Sequence, residues 1–259
     1  MSTSNPAKTV SEVFGLNKPD IDTSTLVILA TIAENAERYN DMCIFTSKLV
    51  IDRCNKGKDL SIEERNQLSV AFKNIIGSKR ASWRTLKGFD DDTDIDQTLL
   101  TKYRQVVELE LKDKCQEILK ILETHLIKSV KGKNNETEVF YLKMCGDYYR
   151  YLAEFLADKT YKDNCAKMYD DALKVAKECL SETHPTRLGL ALNYSVCYYE
   201  ILKEPTKACE LAKESFDAAI QSLDNLNDAN YKDSTLIMQL LRDNLTLWTS
   251  ETAGDDDDE

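Results

Sequence analysis

Between Lys143 and Glu154, four side chains able to grip an anion fall at helical spacing. Lys143 and Asp147 are four residues apart, and Asp147 stands three and four residues before Arg150 and Tyr151. On a helix this puts all four along one edge. A carboxylate beside a guanidinium fixes the angle of the fork, while a phenol OH and a second cation stand alongside. Such an edge suits a tetrahedral dianion, because Arg takes phosphate bidentately through short, charge-assisted hydrogen bonds. An exposed ladder of ion pairs has the same spacing, so the segment alone leaves both readings open.

Three other faces complete the pattern. Residues from about 61 to 89 place Lys73, Gly77, Arg80 and Arg84 in one stripe, two of whose cations flank a bare glycine. From about 186 to 203, Gly189, Leu192, Asn193, Val196 and Glu200 share a face, and the Asn amide can both donate to and accept from an extended peptide. The last helical stretch repeats that grammar with Leu236, Ile237, Leu240, Leu241, Asn244, Leu247 and Trp248. Two faces offer cations and two offer apolar side chains with one amide each. Brought together, they would hold a phosphate on one side and its flanking peptide on the other.

The elements that must position these residues are helices. The chain has 259 residues with only 8 Gly and 4 Pro, against 31% charged and 42% hydrophobic residues. Few turn-formers and many charges indicate long helices rather than sheets. The pattern predicts nine, over about 23–37, 39–54, 61–89, 96–129, 137–158, 162–181, 186–203, 206–224 and 232–250. Ser61 to Glu64 reads as a capping box, and Pro185 and Pro205 fall where a first helical turn tolerates them. Residues 1–21 form a flexible arm with at most a short turn, residues 22–250 one helical domain, and residues 251–259 an acidic disordered tail.

Composition excludes several functions. Formal net charge is -11, from 45 acidic and 34 basic residues, which argues against general nucleic-acid binding. No run of 18 apolar residues is present to insert in a membrane. No secretory signal is visible, and the eight cysteines include no C-x-x-C pair, so free, mostly buried thiols in a cytoplasmic protein are expected. The two histidines, His125 and His184, lack ligand spacing, so no metal is expected. No nucleophile elbow, phosphate-binding loop or dinucleotide fingerprint appears. The chain is therefore expected to bind rather than catalyse, with no cofactor. A helical scaffold of tetratricopeptide type, binding unphosphorylated partners, remains the alternative, although no 34-residue repeat is evident.

The sequence resembles the 14-3-3 proteins. The resemblance rests on Leu68 to Asn74 with Ser82 to Arg84, on Lys143 to Glu154, on His184 to Asn193 with Tyr198 to Glu200, and on the long run Tyr231 to Ser250. It covers roughly residues 30 to 250. It implies an all-α fold of nine antiparallel helices in a cup-shaped monomer with a concave amphipathic groove, and a phosphoserine/phosphothreonine-dependent adaptor for client proteins. By resemblance Lys73, Arg80, Arg150 and Tyr151 take the phosphate, and Asp147 holds an Arg in register. Asn193 and Asn244 clamp the peptide backbone. Leu192, Val196, Leu236, Ile237 and Leu240 form the apolar wall, Glu200 and Trp248 meet residues before the phosphate, and Lys143 those after it. A homodimer, or a heterodimer with sister isoforms, is implied through Ile32, Ala33 and Ala36 against Ser82, Leu86 and Tyr103, with Arg38 pairing Glu110. Lys79 replaces a usual Arg, Cys145 a usual polar residue and Val106 a usual Lys, while the N-terminal arm is longer than usual.

Overall fold

The computed structural model describes residues 9–16, 21–223 and 228–255. The expected arm at 1–8 and 17–20, and the acidic tail at 256–259, lie outside them. Every regular element among the described residues is helical: α1 (Val10–Val13), α2 (Thr23–Asn35), α3 (Tyr39–Asn55), α4 (Ile62–Lys87), α5 (Gln97–Ile121), α6 (Ile127–Val130), α7 (Glu136–Ala153), α8 (Lys159–Cys179), α9 (Pro185–Val196), α10 (Pro205–Gln221) and α11 (Asp228–Asp255). Two π-helical stretches, Leu122–Leu126 and Cys197–Leu202, continue α5 and α9. With these included, the nine expected rods are all present, and α1 falls within the stretch expected to be the arm.

Two units divide the chain near Ser129. In the first, α2 packs on α3, α3 on α4 and α4 on α5. Leu26 and Ala30 of α2, Met42 and Leu49 of α3, Phe72 and Ile76 of α4, and Leu111 and Ile118 of α5 are buried in it. The two named on each helix are four or seven residues apart, one or two turns along the same face, so one apolar stripe per helix supplies the core. The capping box opens α4 as expected: Glu64 N donates to Ser61 Oγ at 3.1 Å and Ser61 N to Glu64 Oε2 at 2.8 Å. Arg53 Nε also donates to Glu64 at 3.0 Å, tying the end of α3 to the start of α4. Beyond α1, Leu16 is buried, and Phe14 meets Phe45 of α3 edge to face at 5.9 Å.

In the second unit α7 lies along α8, and α9, α10 and α11 pack on one another. Asn135, Asp158 and His184 cap α7, α8 and α9 by accepting first-turn N–H groups. These satisfy donors that the helix itself leaves unpaired. The helical continuation after α9 ends on Lys203, which adopts a left-handed φ of 59°. α11 begins four residues before its expected start and runs on to Asp255, five residues past its expected end. Its Ser234 Oγ donates to Thr183 O at 2.6 Å, fixing it against the turn before α9.

Candidate functional site

The edge of α7 read from the sequence is present, and the second unit builds a network around it. Lys143 Nζ donates to Asp147 Oδ2 at 2.9 Å. Oδ1 of the same carboxylate accepts from Asn193 Nδ2 of α9 at 2.7 Å and from the Tyr169 OH of α8. Tyr169 OH in turn accepts from Arg150 Nε at 3.2 Å. Arg150 is buried. Its Nη2 and Nη1 lie 3.8 Å from Asp147 and from Glu154, at charge-pair distance but beyond hydrogen-bond range. Its guanidinium carbon sits 4.8 Å from the centre of the Tyr151 ring, a cation–π contact.

These contacts set the charges. Burial pushes the Asp147 carboxyl upward, but the ammonium of Lys143, the guanidinium of Arg150 and the Tyr169 hydroxyl outweigh it and hold Asp147 below the usual carboxylate range. Burial also works against the Arg150 charge; Tyr169, Tyr151 and Asp147 more than offset it, so the guanidinium stays protonated. Burial and the neighbouring Asp147 carboxylate push the Tyr169 phenol well up, so it remains an OH donor. The result is a permanently charged fork, aimed through Nε by groups that are themselves fixed. That is the preorganisation an anion site needs.

Three of the expected wall residues in this unit, Leu192, Val196 and Ile237, pack on one core. A Cβ placed on Gly189 would lie 3.8 Å from Lys143 Cε and 3.9 Å from Ile237 Cδ1, so edges of α7, α9 and α11 meet there. That core includes Leu188, Met238, Leu241 and Trp248. Leu236, Leu240 and Glu200 are exposed, and Asn244 is half-buried. Trp248 is only 4% exposed and stacks on Tyr199 at 4.8 Å, which makes its indole part of the core beneath this face.

In the first unit α4 presents Lys73 and Arg84 exposed and Arg80 half-buried, with open space at Gly77. Of the residues expected at a dimer seam, Ile32, Ala36, Arg38, Ser82, Tyr103 and Glu110 are exposed and Leu86 is half-buried. Ala33 is buried in the unit's own core and has little surface to offer. Within the chain Arg38 pairs with Asp41, and Glu110 with Lys79.

A family model described as 14-3-3 protein matches residues 29–249. The chain belongs to the 14-3-3 family. It is 51% identical over 244 residues to 14-3-3 protein zeta of Bombyx mori, covering 92% of this chain and 96% of that one. It is 52% identical over 239 residues to 14-3-3-like protein 1 of Caenorhabditis elegans, at 90% and 94% coverage. It is 50% identical over 244 residues to 14-3-3 protein beta/alpha of Gallus gallus, at 92% and 98% coverage. The 14-3-3 proteins read phosphorylated motifs through Arg clusters. The chain is accordingly a phosphopeptide-binding adaptor, and the tetratricopeptide alternative is not favoured.

Tyr169 is the member of this 14-3-3 network that spacing did not reveal. It lies 19 residues from Arg150 and 22 from Asp147 along the chain. Its own helix offers only a buried-face signal, through Cys165, Ala172 and Ala176.

Proposed function

We propose that this 14-3-3 chain binds phosphoserine and phosphothreonine motifs of client proteins through Lys73, Arg80, Arg150 and Tyr151. Two guanidinium forks and one ammonium meet a group of about -2 charge. Asn193 and Asn244 hold the main chain of the client, and Leu192, Val196, Leu236, Ile237 and Leu240 take its flanking side chains. The observation behind this reading is the Asp147–Tyr169–Arg150 network, which keeps one buried guanidinium charged and oriented. Asn193 belongs to the same network through its bond to Asp147, so the backbone clamp and the phosphate fork share one support. The chain acts by binding and not by catalysis, in the cytoplasm.

The working form is a dimer. In support, α2 exposes Ile28 and Ile32 at i, i+4, and α5 exposes Leu99, Tyr103 and Val106 at i, i+4, i+7, with Leu109 beside them. Two apolar stripes in one unit offer more than exposed ion pairs, which contribute only about 0–1 kcal/mol each. Val106, where the family has a Lys, extends the α5 stripe. A dimer presents two phosphate sites to a doubly phosphorylated client, whose second site then binds intramolecularly.

Fluorescence polarisation with a phosphoserine peptide and its unphosphorylated twin tests the reading on the wild type and on Lys73→Glu. The phosphopeptide is expected to bind tightly, its twin weakly, and Lys73→Glu to lose roughly 10- to 100-fold, the scale of one charge-assisted contact. Equal affinity for the two peptides would return the chain to the class of phosphate-indifferent helical scaffolds.

A further inference from the structure

Cys165 of α8 and Cys197, the first residue of the π-helical stretch after α9, place their Sγ atoms 3.1 Å apart. Both thiols are 0% exposed and both are free. Their elements are clamped at this point by a second contact: Tyr169, one turn after Cys165, stacks on Tyr194, three residues before Cys197, at 5.3 Å between ring centres. A disulfide needs its sulfurs about 2.05 Å apart. An approach of roughly 1 Å, within reach of side-chain rotation, separates the pair from a bond.

We propose that Cys165 and Cys197 are a redox-active thiol pair that closes to an intramolecular disulfide by exchange with a low-molecular-weight disulfide, stapling α8 to the π-helical stretch. The reaction is gated by local opening. Burial pushes the Cys165 thiol well up, as does its hydrogen bond to Cys197, so in the closed fold it is protonated and a poor nucleophile. The stretch Cys197–Leu202 is the natural point of opening. Its π geometry is a rare variant of the helix, and it ends on the left-handed Lys203. When it loosens, the Cys197 thiolate attacks one sulfur of RSSR and RS⁻ leaves, collecting the proton that Cys197 lost. On reclosure the Cys165 thiolate displaces the second RS⁻, which takes the proton of Cys165. The pair gives up two electrons and two protons, and RSSR becomes two RSH.

The link spans 32 positions of sequence, so it removes substantial freedom from the unfolded chain while asking little of the folded one. It lies one helical turn from Tyr169 and uses none of the proposed phosphate-binding residues. Its failure would leave the adaptor reading intact.

The test uses the full-length chain and oxidised glutathione in urea below the unfolding midpoint. Remaining thiols are then blocked and the protein is digested for mass spectrometry. A linked peptide pair containing Cys165 and Cys197, with the loss of two hydrogens, is expected. The melting temperature should rise by roughly 5–10 °C, and a phosphine reductant should reverse both changes. Cys197→Ala should give neither. Should that variant fail to fold, the wild-type peptide map decides alone. Recovery of both cysteines in blocked form, their linkage to other cysteines instead, or a link that leaves the melting temperature unchanged would each overturn the proposal.

Discussion

Gly146 of α7 lies directly against the ring of Tyr169: a Cβ built on it would meet Cδ1 at 2.7 Å and Cε1 at 2.8 Å. The ring has nowhere to go. It is fully buried, stacked on Tyr194, and its hydroxyl is engaged by both Asp147 and Arg150. Replacing a helix-interior glycine with alanine ordinarily stabilises by about 1 kcal/mol. Here overpacking, at about 1–3 kcal/mol, outweighs that gain. Gly146→Ala should lower stability in urea denaturation and weaken phosphopeptide binding, because the displaced ring orients Arg150.

Gly77 provides the opposite case on α4. A Cβ there meets nothing within 4 Å, and the residue lies inside a regular helix. Only the propensity term remains, so Gly77→Ala should stabilise by up to about 1 kcal/mol, read as a higher melting temperature. A drop in melting temperature would mean that the glycine serves the backbone rather than the open face between Lys73 and Arg80.

How much was legible in the sequence follows from the range of each signal. The Ser61–Glu64 capping box, the α4 stripe and the α7 edge are all set by residues within a few positions of one another. Helical geometry alone therefore placed them. The π-helical stretches were not legible, since the apolar pattern around Leu122–Leu126 and Cys197–Leu202 differs little from that of an ordinary helix. Tyr169 escaped for another reason. Its role depends on the register of α8 against α7, which packing sets and local spacing does not report. The burial of Trp248 under Tyr199 is equally invisible to local spacing, because the two rings come from separate elements. The family resemblance supplied the roles that spacing could not, and the match over residues 29–249 is what secures the family.

Tyr169→Phe isolates the hydroxyl. It removes a donor to Asp147 and an acceptor for Arg150 Nε while keeping the ring in place. Asp147 retains Lys143 and Asn193, so the fold survives at a cost of about 1–2 kcal/mol. The fork loses its aim, and phosphopeptide affinity should fall by about three- to tenfold in polarisation titrations, mainly through faster dissociation. Unchanged affinity beside reduced stability would confine Tyr169 to a structural part.

Ile32→Asp tests the dimer. Ile32 is 57% exposed and shares its face of α2 with Ile28, so the substitution should leave the monomer's own core undisturbed. Burying one such side chain contributes about 1.5–3 kcal/mol, and a carboxylate in an apolar seam adds a desolvation cost. Sedimentation should show at least a tenfold weaker dimer with an unaltered circular dichroism spectrum. The same sedimentation profile as the wild type would remove α2 from the interface.

His184 gives the second unit a pH-dependent cap. Its Nδ1 accepts the Thr186 N–H at 3.2 Å, a role open only to an imidazole whose Nδ1 is bare. Burial depresses its pKa below the usual 6.5, with the nearby Glu136 carboxylate opposing this in part. The unfolded chain therefore binds a proton more readily than the folded one between the depressed value and 6.5. Over that interval stability rises with pH. The contribution is fully present above about 6.5 and is lost as the pH falls toward the folded value. Asn accepts at an N-cap without titrating, so His184→Asn should flatten this part of the curve. Melting temperatures taken from about pH 7 to about pH 5.5 should decline more steeply for the wild type than for the variant. Parallel declines would assign the acid sensitivity of this unit to other groups.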